Sequence, residues 1–449
     1  MSEPTGPRAE LRRLLVADRG MAALRALRWA QQAKVEVVGL VAESDGDAVW
    51  PDDLDFAVYV PDEPGSPWPS AERVLAAAHD AGCDAIHPGF SYLGRTPALI
   101  ELMATSGLAW AGTGQHALGV CADRAICRAT AEELGLPVVP GSMPILDEAQ
   151  GQLWLSRVGL PVAVRAVTPG RRGPRRFIHA ASEAADALRA GLAEGPVLLE
   201  RLVVGAREVE VPVIWDGAAP PVALGDRDIT MRGAHGRLIV EAPAPGLSDK
   251  TREIIVKQAI AIVRHIQLRG LCAVRFLVPP DGRPYLLQVI PGLSPWHGVT
   301  EALCAVDLMD AQLRMAVGDA LELSADDLTL AGHHLWVDLR ASADGELFEL
   351  PDMELRRDLS IVEGDLVMAG DSLGAMIVGA PTRHAAIVRA RASLDGPLMP
   401  GVELDRSELD AVFNSVEYWQ GPLDRDRAAA LLAKAPAAAG ALTAPPPGP

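Results

Sequence analysis

The sequence predicts an α/β domain followed by an α+β region, and three observations carry that expectation. Up to about residue 120, short apolar runs alternate with stretches of helical periodicity, the pattern of a parallel, doubly wound sheet. From Asp123 onward strands cluster instead of alternating with helices. A chain of 449 residues is too long for one ordinary core, so two or three packed domains are expected.

Leu14-Leu15-Val16-Ala17 is an apolar run that ends at Asp18-Arg19-Gly20, and Met21 to Ala33 then reads as a helix. Strand, tight turn and helix open an α/β domain. Val35 to Val41 continues as a strand, Ser70 to Ala81 as a helix, Ala85-Ile86 as a strand ending in His87-Pro88-Gly89, and Pro97 to Ser106 as a helix. The next region begins with a helix from Asp123 to Leu134, followed by Pro137 and Pro140. Strands are expected over Val162 to Val167, Val197 to Leu202 and Val209 to Trp215, with a helix from Ser182 to Ala193. Asp249 to His265 is a strongly amphipathic helix. Leu271 to Val278 and Arg283 to Ile290 alternate like a β-hairpin around Pro280-Asp281-Gly282. Beyond about Leu321 short strands surround a helix from Arg383 to Leu394, and residues 435–449 form a Pro/Ala-rich tail with too little apolar bulk to pack. The expected domains are 10–120, 121–320 and 321–434.

Composition narrows the partners. A net charge of −18 repels polyphosphate backbones, so nucleic acid is not an expected partner. No charge-free apolar run reaches the ~20 residues of a membrane helix, and the N-terminal residues lack a signal-peptide core, which points to the cytoplasm. The five cysteines Cys83, Cys121, Cys127, Cys272 and Cys304 are odd in number and show no paired CxxC spacing; buried thiols are expected. Of 41 basic residues only Lys34, Lys250, Lys257 and Lys434 are lysine. An arginine in place of a lysine therefore carries little information here.

Four stretches, LLVADRGMAALRALRWA (14–30), CDAIHPGFSYLGR (83–95), GLPVVPGS (135–142) and RDITMRGAHGRLIVEAPAPG (227–246), together with VTEALCAVDLMDAQLRMAVGDAL (299–321), resemble the biotin carboxylase subunit of acyl-CoA carboxylases. The resemblance runs over nearly the whole chain. It implies an ATP-grasp fold of the biotin carboxylase type, with an N-terminal α/β domain, a lid at roughly 133–202 and a C-terminal domain. In that family, ATP and bicarbonate form carboxyphosphate, and the liberated CO2 passes to biotin on a carrier protein. The chemistry needs metal ions, a base and cations that hold the anions.

The residues at the family's reactive positions do not suit that chemistry. Where the family supplies two glutamates and an asparagine to magnesium, this chain has Arg275, Gln288 and Ile290. An arginine cannot ligate a hard cation, so magnesium is not expected. Where the family has an arginine, a glutamine and a glutamate for bicarbonate, the chain has Gly292, Ser294 and Trp296, and indole accepts no proton. A further family arginine falls at Asp338, two residues before Arg340. The glycine-rich phosphate loop corresponds to residues 168–174, where Gly170 is retained and Pro169 and Pro174 each remove an N–H.

Other positions persist. Arg124 and Arg165 stand for phosphate-facing lysines, and His235 with Arg237 stands for a histidine and a lysine. Glu200-Arg201-Leu202 matches the segment that meets adenine through its backbone, and Leu277 matches an apolar contact to the ring. Arg124, Arg165, Arg171, Arg172, Arg232, Arg237 and Arg275 could converge on one anion cleft that binds ATP without metal. The competing expectation pairs these arginines with Glu200, Glu208, Glu210 and Glu241. Three functions follow: a non-catalytic structural or regulatory subunit, an ATP-grasp enzyme with altered chemistry, and an active biotin carboxylase. The partners they imply are a carboxyltransferase, a biotin carrier protein, an active biotin carboxylase paralogue or a second copy of the chain. The sequence has no AMKM-like motif, so biotin is not expected to be attached to this chain.

Overall fold

The computed structural model describes residues 11–45, 48–61, 69–90, 93–168 and 171–435. Pro169 and Gly170 of the phosphate-loop stretch, and all of the predicted tail except Ala435, lie outside the described residues.

The N-terminal domain has the predicted alternation. Strands β1 (Arg13–Val16), β2 (Glu36–Ala42), β3 (Phe56–Val60), β4 (Ala85–His87) and β5 (Ala109–Trp110) form a parallel sheet in the order β3-β2-β1-β4-β5. The order reverses at β1, as in a doubly wound fold. Helices α1 (Met21–Ala33), α2 (Ala71–Asp80) and α3 (Pro97–Ser106) accompany it. Gly89 has φ +69°, and a Cβ there would sit 2.1 Å from Cβ of Asp18. That close approach lets the Asp18 carboxylate accept from the Phe90 N–H at 2.7 Å and joins the loops after β1 and β4.

Helices α4 (Gln115–Ala122) and α5 (Arg124–Glu133) lead into the expected lid. There α6 (Glu148–Val158) and α7 (Ala184–Leu192) cover the antiparallel strands β6 (Val162–Thr168), β7 (Arg171–Ile178) and β8 (Val197–Arg201), ordered β7-β6-β8 around a small core of their own. The stretch that corresponds to the phosphate loop therefore falls at the junction of two paired strands, with Thr168 opposite Arg171.

The body is built on β9 (Arg207–Trp215), β10 (Val222–Ala223), β11 (Arg227–Asp228), the ribbon β12 (Arg232–Gly233) and β13 (Gly236–Arg237), and β14 (Ile239–Ala242). Helix α8 (Asp249–His265), capped by Ser248, backs the hairpin of β15 (Gly270–Val278) and β16 (Tyr285–Pro291). Helices α9 (His297–Cys304) and α10 (Leu308–Ala316) follow. The C-terminal region holds β17 (His333–Arg340), β18 (Gly345–Glu346), β19 (Arg356–Leu359), β20 (Leu366–Val367) and β21 (Ser372–Ala380), then α11 (Arg383–Asp395), α12 (Ser407–Phe413), α13 (Val416–Gln420) and α14 (Arg425–Leu432).

One sheet runs through both of these regions in the order β16-β15-β9-β11-β14-β17-β21-β19. The β14–β17 ladder carries it across the position near residue 321 where the sequence suggests a boundary. The two regions share a backbone ladder and do not pack as separate layers.

Candidate functional site

Lid strands β6 and β8, body strands β9, β15 and β16, and helix α14 surround a cleft of about 290 Å³. Val139, Ala163, Leu202, Leu277, Leu287 and Ala428 give it apolar walls. Arg124, Arg165, Arg201, Arg232, Arg237 and Arg425 bring six guanidiniums to it, and Glu200, Glu208 and Asp426 bring three carboxylates. Of the seven arginines expected to converge, the structure brings Arg124, Arg165, Arg232 and Arg237 to this cleft; Arg275 is not in its lining, and Arg171 and Arg172 are described only as backbone of β7.

Two of the cleft arginines are committed to acids. Arg124 Nε and Nη2 both donate to the Glu200 carboxylate at 2.8–3.1 Å, while Nη1 donates to the Leu287 carbonyl at 3.2 Å. This forked pair joins α5 to β8 and holds the lid's last strand on the body. Arg237 Nη2 donates to Glu208 Oε2 at 2.6 Å. Burial alone would raise the Glu208 carboxyl, but the Arg237 and Arg275 guanidiniums hold it down at about 2.

Behind the cleft, Glu210 lies on β9 with its carboxylate 1 % exposed. In register, it faces Arg275 on β15 on one side and Arg227 on β11 on the other. Arg275 donates to Oε1 from Nε at 3.1 Å and Nη2 at 2.7 Å, Arg227 Nε donates to Oε2 at 2.9 Å, and Trp296 Nε1 donates to Oε2 at 3.0 Å. The other Arg227 donors go to Thr300 Oγ1 and Ser294 Oγ, each at 3.0 Å. Burial pushes the Glu210 carboxyl up, and Arg227 and Arg275 outweigh it to leave it at about 2.

This cluster corrects the expectation that Arg275 faces an anion in the cleft. Cross-strand pairing, invisible in a linear reading, places Arg275 against Glu210 and uses its donors there. The competing expectation holds for three arginines, with Arg124, Arg237 and Arg275 paired to Glu200, Glu208 and Glu210. Glu241 instead accepts from His333 Nε2 at 3.0 Å and from Arg383 Nε at 2.7 Å.

Gln288 stands opposite Arg275 in the hairpin and is half-buried, while Ile290 is buried. Arg275, Gln288 and Ile290 do not form an oxygen ligand set for a hard cation. Among the described residues no group of three or more His, Cys, Asp or Glu is arranged to hold a metal ion. Gly292 has φ +80°, so an arginine side chain at that position would strain this backbone. His297, adjacent to Trp296, is buried; its Nδ1 lies 2.9 Å from the Ser294 carbonyl, and burial lowers its pKa.

His235 and Asp338 lie apart from the main cleft, around a small cavity shared with Arg237, Arg340, Asp405 and Glu408. Arg340 Nε donates to Asp338 at 3.1 Å. Burial pushes the Asp338 carboxyl up to about 6 despite that guanidinium. Arg425 and Asp426 have no counterpart in the sequence reading, because more than 200 residues separate them from Val203 and Gly205, which they touch.

Comparison with known proteins places this architecture. Residues 10–118 match the family model described as biotin carboxylase, N-terminal domain, and residues 123–324 match that of the carbamoyl-phosphate synthase L chain, ATP binding domain. The chloroplastic biotin carboxylase 2 of Populus trichocarpa is 28% identical over 434 residues, covering 92% of this chain and 82% of its own. The biotin carboxylase of Pseudomonas aeruginosa is 29% identical over 415 residues, covering 88% of this chain and 92% of its own. The structure of a biotin carboxylase–β,γ-ATP complex from Campylobacter jejuni superposes with a TM-score of 0.87 at 24% identity, covering 94% of this chain and 99% of that one. The two family models together span more than half of the sequence, full-length relatives carry the same name, and the chain belongs to the biotin carboxylase family.

Proposed function

We propose that this chain does not carboxylate biotin and serves as a non-catalytic, structural or regulatory subunit of an acyl-CoA carboxylase-type system. The observation that carries this reading is the commitment of Glu210. Where its family resemblance calls for two metal-binding glutamates and an asparagine the chain has Arg275, Gln288 and Ile290, with Arg275 committed to Glu210, and at the position of the base it has an indole that donates to the same carboxylate. Supplying a base there would require Trp296 to accept a proton, which indole does not do at neutral pH. The cleft keeps apolar walls and an excess of guanidiniums, so it suits a nucleotide or a smaller organic anion held without metal. The partners in this reading are a biotin carrier, a carboxyltransferase, an active paralogue or a second copy of the chain.

A second reading has one observation in its favour. Glu208 lines the cleft, and Gln288 retains a carbonyl oxygen on β16, two strands away in the same sheet. An active enzyme could draw magnesium ligands from these groups if Arg237 released Glu208.

Calorimetric titration with MgATP and with ATP plus EDTA separates the readings, followed on the same sample by bicarbonate-dependent ATP hydrolysis with free biotin. The expected result is no biotin-dependent turnover, with any ATP binding unaffected by EDTA. Magnesium-dependent turnover would establish the second reading and remove the first.

A further inference from the structure

Helix α14 makes contacts that the cleft's shape alone does not require. Arg425 N donates to the Ala206 carbonyl at 3.1 Å, and its Nη2 donates to the Val203 carbonyl at 3.3 Å. Its Nη1 lies 3.8 Å from Glu208 Oε1, on the carboxylate that Arg237 holds from the other side. Asp426 Oδ2 accepts from the Gly205 N–H at 3.0 Å. One turn later Ala428 and Ala429 form part of the cleft wall. Asp424 caps the helix by accepting from the Asp426 and Arg427 N–H groups, which sets the first turn against the hinge.

Residues 203–206 join β8, the last strand of the lid, to β9, the central strand of the body. The polar contacts that α14 makes with them are single bonds at the rim of a cleft, and its contact with Glu208 on β9 is a long ion pair. By contrast, the body strands are held by continuous ladders. The later turns of α14 are anchored in the C-terminal core through Ala428, Leu431 and Leu432, whereas the single bonds of its first turn open at lower cost than the ladders of the sheet.

We propose that the first turn of α14 is a strap across the β8–β9 connection, the hinge of the lid, and that its release from that connection admits ligand to the cleft. Closed, it ties the hinge backbone to the C-terminal region and shares Glu208 with Arg237. Released, it widens the cleft beside Arg237 and Glu208 and leaves Arg425 free to meet an anion. This deepens the reading of the cleft as a ligand site and rests on it for the purpose of opening, though not for the opening itself.

Amide hydrogen exchange on the full chain tests the strap. In the wild type the Gly205 and Arg425 amides should exchange at one shared rate, faster than Val211 in β9. In Arg425→Ala/Asp426→Ala, the Gly205 amide should exchange ~10-fold faster or more while Val211 is unchanged. The association rate of ATP in EDTA should rise alongside. A Gly205 amide as slow as Val211 in the wild type, or unaffected in the variant, would overturn the strap. The wild-type comparison stands even if the double variant fails to fold. If ATP binds neither protein, the ligand reading of the cleft fails while the Gly205 rates still decide the strap.

Discussion

The cleft and the cluster behind it differ in what their arginines face. In the cleft, Arg165, Arg201 and Arg232 line an open volume beside the Arg124–Glu200 and Arg237–Glu208 pairs. Behind it, Arg275 and Arg227 surround a single dry carboxylate, and an indole N–H completes its shell. Both ends are rich in arginine, but only the first has room for a ligand. Arginine count alone is therefore a poor guide to an anion site; strand register decides which guanidiniums are already neutralised.

The largest effect should come from breaking the dry end. Glu210→Ala leaves two buried guanidiniums without their counter-ion and should cost ~3–5 kcal/mol in urea unfolding. A loss under 1 kcal/mol would mean that water reaches this cluster and that the contrast between the two ends is false. The pH dependence has a definite sign. Glu208, Glu210, Glu241 and Glu301 are all held near 2 in the folded protein, below the unfolded carboxylate range. Their contribution is complete above pH ~4.5 and is lost as pH falls toward 2, so acid unfolding should be steep in that window.

Asp338 should behave in the opposite sense. Its folded pKa of about 6 is raised, so the folded protein holds this proton more tightly than the unfolded chain does. Its contribution is most favourable at low pH and declines as pH rises through 6. Asp338→Asn should therefore raise stability by ~1–2 kcal/mol at pH 8 and change it little at pH 4. Equal effects at both pH values would show that the carboxyl titrates normally.

Arg124→Ala should have the smallest effect, ~1 kcal/mol or a little more, because the Glu200 it abandons lies at the wall of an open cleft and can be rehydrated. If this change costs as much as Glu210→Ala, the cleft is as dry as the cluster behind it.

The N-terminal alternation, the long helix α8 and the β15–β16 hairpin are legible in the sequence because each buries one regular face. Strand β7 is not, since RRGPRRFI has arginines, Gly173 and Pro174 where an apolar alternation would be needed. Its strand character comes from pairing with β6. The short helices α12 to α14 are also missed, each being eight residues or fewer and separated by breaks at Asn414 and Gly421. At the candidate site the positions 275, 288 and 290 fall on the expected hairpin. Which of the candidate acids Arg275 touches could not be read, because Glu210 lies 65 residues away in sequence and meets it only through strand register. Nor could periodicity reveal the approach of Arg425 to the hinge.

The five cysteines are all free and buried, and burial pushes every thiol up from its ordinary value. Cys83 sits in the core of the N-terminal sheet, Cys121, Cys127 and Cys272 in the core behind β9 and β15, and Cys304 where the N-terminal sheet meets α9 and α10. A thiolate must form and be reached before it can be alkylated, so the folded protein should be nearly silent to a maleimide. The five side chains thus act as intrinsic clocks, and the order in which they are labelled reports which part of the molecule opens first.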